Sequence, residues 1–127
     1  MPYYTAIVTL LAVVLYFFMA ARVATVRSRF DVKHPATTGH PDFERVFRAH
    51  INTLEWIPIF FPTLWIAAFY FSDRAAAAVG LLWIVGRIVF FIGYSKAVEK
   101  RVPGFVIQLV ACVLLAIGAV AGIVMHA

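Results

Sequence analysis

The chain has 127 residues, of which 64% are apolar and only 13% charged, and its formal net charge is +5. The charged share is about half that of a soluble domain, and a chain this short cannot hide so much apolar surface inside one water-facing core. Composition therefore excludes an ordinary soluble domain and points to lipid as the solvent. No long polar segment offers a linker, so residues 1–127 read as one unit. The basic excess fits the positive-inside bias of membrane loops. No basic tract alternates with exposed aromatics in the way a nucleic-acid groove requires, so no nucleic-acid partner is expected. Cys112 is the single cysteine, which leaves no intrachain disulfide. It reads as a packing or lipid-facing residue, because thiolates need positive neighbours.

A helix needs about 20 apolar residues to cross the hydrocarbon core. Pro2 to Ala21 carries no charge, and Arg22 follows rather than precedes it. That order is the reverse of a signal peptide, so the segment reads as a transmembrane helix over about residues 3–26. Residues 27–43 form a polar loop with Pro35, Gly39 and Pro41 as breakers. The second helix is expected over about residues 43–71, with Asp42 as its N-cap, Glu44 favouring the positive end of its dipole, and kinks at Pro58 and Pro62. Ser72-Asp73-Arg74 makes a tight connection. The third helix is expected over about residues 75–101, its last turns wetter than the rest. Pro103-Gly104 reads as a short turn before an uncharged fourth helix at about 103–125. Short connections make neighbours antiparallel, giving an all-α, integral membrane, up-down four-helix bundle. The loop between the second and third spans holds only Arg74 among the basic residues. Loops one and three are therefore placed in the cytoplasm, with both termini on the opposite side.

Charged groups inside a membrane span are costly and are functional candidates by default. Arg48, Asn52 and Glu55 fall within an arc of roughly 60° on the second helix, and Arg45 joins their face near the surface. On the third helix Arg87, Tyr94 and Arg101 share a face with Phe90 beside them, while Lys96 points elsewhere and reads as solvated. At 1.5 Å per residue, Glu55 lies roughly 15 Å deeper than Arg45, and Arg87 roughly 21 Å deeper than Arg101. Two antiparallel helices thus bring polar groups to similar depths, and Arg27 closes the same end from the first helix. The result is a guanidinium-rich pocket open to the cytoplasm with one deep carboxylate. It suits a ligand carrying several carboxylates and an amine, because arginine presents forked donors to carboxylates. A second, apolar ligand is expected to arrive from the bilayer. Against this stands a plainer account. Arg27, Arg45 and Arg101 lie near helix ends, where arginine snorkels to phosphate, and Glu55 with Arg87 forms a packing ion pair. Nothing in the pattern calls for a metal.

Two segments carry a family likeness. FERVFRAHINTLEW (Phe43 to Trp56) resembles the signature E-R-x-x-R-A-x-x-N-x-x-E of the membrane-associated proteins in eicosanoid and glutathione metabolism. GRIVFFIGYSKAVEKR (Gly86 to Arg101) is similar to that family's third-helix pattern of Arg, Gly-Tyr and Arg. The likeness extends over most of the chain, including TTG-x-P at residues 37–41. It implies a homotrimer with glutathione bound between protomers near the cytoplasmic face. It also implies conjugation of glutathione to lipophilic electrophiles, with lipid hydroperoxide reduction in some members. Carried over position by position, Arg27, Arg48, Asn52, Glu55 and Tyr94 resemble the glutathione contacts. Arg101 resembles the thiolate-stabilising arginine, and Arg87 the deep arginine at the helix interface. His50 stands where a glutamine is often found and is a further candidate contact, with helix packing as its other reading. Phe90 and Trp56 stand where relatives carry Tyr. Ser28 replaces an arginine important in leukotriene-forming members, which weighs against specific leukotriene synthesis.

Three functions then compete. The first is a glutathione transferase in which Arg101 stabilises the thiolate. The second is a non-enzymatic lipid-binding scaffold that presents fatty acids to a partner. The third is a transporter or channel subunit, whose expected polar stripe through the whole membrane is missing here: the stripe stops about halfway.

Overall fold

The computed structural model describes residues 1–127, and every regular element in it is helical. Helix α1 spans Tyr3–Arg29, α2 Pro41–Tyr70, α3 Asp73–Lys96 and α4 Val102–Met125, with a short 3-10 turn at Val98–Arg101 before α4. All four long helices have the length and apolarity to cross a membrane. Together they make an integral, multi-pass membrane protein.

Contacts at the helix ends give the topology. The start of α3 meets the start of α1, where the Asp73 carboxylate accepts from the backbone N–H groups of Tyr4 (3.0 Å) and Thr5 (2.9 Å). These are donors that the first turn of α1 leaves unpaired within the helix. The start of α2 meets the end of α3 through Arg45 and the Ser95 carbonyl. The end of α2 meets the end of α4 through Tyr70 and Gly122. Neighbours are therefore antiparallel, in an up-down-up-down order.

Several boundaries differ from the sequence reading. Helix α1 continues one turn past residue 26, where Arg27 and Arg29 complement the negative end of its dipole. The N-cap of α2 is His40 rather than Asp42. Its Nδ1 accepts from the Asp42 N–H at 3.1 Å, and Pro41 takes the first helical position, where the missing N–H costs nothing. Helix α3 does not continue to Arg101. It ends at Lys96, Ala97 is extended, and the chain turns back through Val98–Arg101. Pro103 and Gly104 lie inside the first turn of α4 rather than in a loop. Two glycines shape this reversal. A side chain at Gly93 would strike the Lys100 carbonyl, and one at Gly104 would strike the Phe90 backbone. Helices α3 and α4 thus approach backbone to backbone, the packing that small residues permit between helices in lipid.

The interior has two apolar clusters. One gathers Phe60, Leu64, Trp83 and Leu115 with small residues of all four helices. The other gathers Met19, Val26, Phe43, Val46 and Phe90 at the end where α2 begins. Buried polar side chains lie among them. Trp83 stacks on Phe60 with ring centres 3.8 Å apart and donates Nε1–H to Gln108 Oε1 at 3.1 Å. Arg87 has no exposed surface, and Thr53 almost none.

Candidate functional site

Arg48, Asn52 and Glu55 recur at helical spacing along α2 and so project to one side of it. Phe90 and Tyr94 face them from α3, and Arg101, Val102 and Phe105 from the chain reversal and the first turn of α4. These side chains and Ile51 enclose an open cavity of about 530 Å³. Its lining mixes two guanidinium groups, a carboxylate, an amide and a phenol with four apolar side chains, and each contributing segment supplies both kinds.

Tyr94 stands edge-on to Phe90, with ring centres 5.5 Å apart. The Arg101 guanidinium lies 5.8 Å from the centre of the Tyr94 ring, and its Nη1 donates to the Val98 carbonyl at 2.7 Å. That bond anchors one edge of the fork and leaves the other for a ligand. Arg101 does not reach Tyr94 along a continuous helix. The reversal after Lys96 brings it there, so the straight α3 that implied an axial separation of roughly 21 Å from Arg87 does not exist. Arg48 and Glu55 have no hydrogen-bond or ion-pair partner in the chain, and both are exposed. The ion pair between Glu55 and Arg87 does not form. Arg87 instead lies behind the cavity wall and donates from Nη2 to Asn52 Oδ1 (2.8 Å) and Thr53 Oγ1 (3.0 Å). Its guanidinium lies 4.3 Å from the Phe90 ring centre.

Arg45 is engaged elsewhere, bound to Asp42 and to the Ser95 carbonyl. Lys96 is exposed. Two further candidates are not brought to this cavity within the chain. Arg27 donates to the carbonyls of Val32 (3.3 Å) and Ala36 (2.7 Å) and covers the Phe43 ring at 4.7 Å, so it organises the loop after α1. It lines a second cavity of about 470 Å³ with Ser28, Asp31 and His34. His50 stacks on Tyr16 of α1, ring centres 4.7 Å apart, and its buried Nε2 has no partner.

Sequence reasoning missed Val102 and Phe105 as cavity walls. Phe105 follows Arg101 by one helical turn, a spacing that was available as a signal. It also missed Gln108, the only amide in a long apolar run, and Thr53, whose neighbour Asn52 took the notice. No cysteine, serine or histidine lines the cavity.

Comparison with known proteins shows what the chain is similar to. The MAPEG family pattern matches residues 5–121. Human microsomal glutathione S-transferase 2 is 42% identical over 118 residues, covering 93% of this chain and 80% of that protein. Rat leukotriene C4 synthase is 39% identical over 121 residues, covering 95% of this chain and 81% of that protein. A Synechocystis protein without an assigned function is 42% identical over 118 residues, covering 93% of this chain and 86% of that one. The chain belongs to the MAPEG family, the membrane-associated proteins in eicosanoid and glutathione metabolism.

Proposed function

We propose that this protein is a membrane-bound glutathione transferase that joins the glutathione sulfur to lipophilic electrophiles. The observation that carries the reading is the cavity itself. It gathers Arg48, Arg101 and an unpaired Glu55 in one lining with the apolar side chains of Ile51, Phe90, Val102 and Phe105. The free guanidinium edges match the glutathione carboxylates. Glu55 matches its ammonium group, and Asn52 and Tyr94 complete the polar lining. A lipid-presenting scaffold has no use for an unpaired carboxylate beside two guanidinium groups inside a bilayer, where each is costly.

Arg101 acts on the thiol. A free thiol titrates near 8.5, and the thiolate is the nucleophile. A guanidinium beside the sulfur favours the charged form. Each unit of lowering takes about 1.4 kcal/mol of preferential stabilisation, which one close arginine supplies in a partly dry site. The thiolate then forms a carbon–sulfur bond with the electrophile, and the leaving group departs with the bonding pair. With a lipid hydroperoxide the sulfur attacks the terminal oxygen and the alcohol leaves. A second glutathione then displaces water from the sulfenic acid to give the disulfide.

The assembly is a homotrimer. In it Arg27 of the partner subunit closes the cavity, which explains why Arg27 and the first cavity lie apart in one chain. The cavity opens to the cytoplasm and both termini lie on the opposite side, as the crowding of Lys and Arg at that end supports. The electrophile enters from the bilayer along the apolar side chains of the lining.

The test is titration of glutathione into the detergent-purified protein near neutral pH, following thiolate absorbance in the ultraviolet. A saturable signal that Arg101→Ala abolishes while glutathione still binds is the expected result. Turnover should fall by about a hundredfold in that variant. Unchanged turnover in Arg101→Ala with binding intact would remove Arg101 from its role. No binding by the wild-type protein would overturn the transferase reading.

A further inference from the structure

Arg87 has no exposed surface and two of its nitrogens, Nε and Nη1, have no partner. A buried guanidinium with unspent donors and no carboxylate beside it is costly. It contributes nothing directly to the cavity surface, since it lies behind the wall. What it does touch is Asn52, which lines the cavity.

The chemistry of that contact is one-directional. A guanidinium has five N–H donors and no acceptor, whereas an asparagine amide carries one of each. The Asn52 atom facing Arg87 is therefore its oxygen. A flipped amide would set N–H against N–H. Thr53 fits the same logic: its hydroxyl donates to the Ala49 carbonyl at 2.9 Å, so its lone pairs remain to accept from Arg87 at 3.0 Å. Two adjacent α2 side chains thus both act as acceptors towards one buried cation. With its oxygen turned to Arg87, Asn52 has its NH2 group as its free end, and no hydrogen bond within the chain engages that nitrogen.

We infer that Arg87 is a positioning residue that locks the Asn52 amide so that the cavity presents a donor at that point. The ligand atom that meets this NH2 is an acceptor, a carboxylate or carbonyl oxygen, and a ligand N–H placed against it is disfavoured. This rests on the reading that the cavity takes glutathione, whose acceptors at that point select it over analogues carrying donors. Arg87 acts through Asn52 and does not touch the ligand.

A double-mutant cycle tests this, using the detergent-purified assembly and glutathione Kd by equilibrium dialysis. Arg87→Met should weaken binding about tenfold, and Asn52→Ala by a similar factor. The double variant should bind no worse than Asn52→Ala alone, because Arg87 has nothing left to orient. Asn52→Asp should be worse than Asn52→Ala, since it keeps the Arg87 contact but turns an acceptor towards the ligand. Penalties that multiply in the double variant, or an Asn52→Asp that binds as well as wild type, would overturn the inference while leaving glutathione binding intact. A wild-type protein that binds no glutathione would sink both readings. Should Arg87→Met not assemble, the cycle is run with Arg87→Lys. That variant keeps a donor and the charge, so the expected loss is about threefold and again vanishes in the Asn52→Ala background.

Discussion

Asp73 and Glu55 are both acidic residues on membrane helices, and they are treated in opposite ways. Asp73, at the end of the bundle where α1 and α3 begin, gives both carboxylate oxygens to backbone N–H groups of α1. Glu55, on the α2 face that lines the cavity, gives its oxygens to nothing in the chain. The first carboxylate completes the fold. The second is unfinished until something binds. In a chain with so few charges, a charged group on a membrane helix that opens to a cavity and finds no partner in the chain is a candidate to bind a ligand.

The sharpest test of this contrast is Glu55→Gln, which keeps size and shape but removes the charge. Glutathione Kd should rise roughly thirtyfold, about 2 kcal/mol for a lost charge-assisted contact, while the thermal unfolding midpoint stays where it was. A falling midpoint would mean that Glu55 has a structural partner after all. Asp73→Ala should show the reverse pattern. Losing the acceptor for the first turn of α1 should cost about 1 kcal/mol of stability, read as a lower unfolding midpoint in detergent, with Kd unaltered. The smallest effect is expected at His50. His50→Phe preserves the stack on Tyr16 and removes an unpartnered buried nitrogen. Stability should hold or rise by a few tenths of a kcal/mol, and Kd should move by less than about twofold. A larger change in Kd would place His50 in the site of the assembled protein.

The same contrast explains what the sequence could reveal. The four spans were legible because lipid demands long apolar runs, and Arg48, Asn52 and Glu55 because helical spacing alone puts them on one side. The break at Ala97 was not legible, because neither proline nor glycine stands there. Gly93 permits it by letting the Lys100 carbonyl fold back, a contact between residues seven apart that no local rule describes. Pro103-Gly104 misled for the complementary reason: proline is as much at home in the first turn of a helix as in a loop. Asp42 is the commoner cap type, but Pro41 takes the first helical position and His40 before it is the cap. The Asp73 bridge to Tyr4 and Thr5 spans some 68 residues and leaves no local trace. Arg87 drew notice for its charge. That it turns to Asn52 and Thr53 rather than to Glu55 is decided by how α2 and α3 pack.

The glycine contacts between α3 and α4 also bear on how the protein answers to its membrane. Gly86 and Gly104 each seat the backbone of the opposing helix, so these two helices cannot slide along one another without collision. When bilayer thickness changes, a membrane protein adjusts by tilting, by bending, or by shifting its helices past each other. Along this seam the last option is closed, and the pair must tilt as a single plate. Tyr94 on one helix and Arg101 at the root of the other therefore keep their spacing in thin and thick bilayers alike. The spacing of these two side chains is set by backbone contacts and not by the lipid around them.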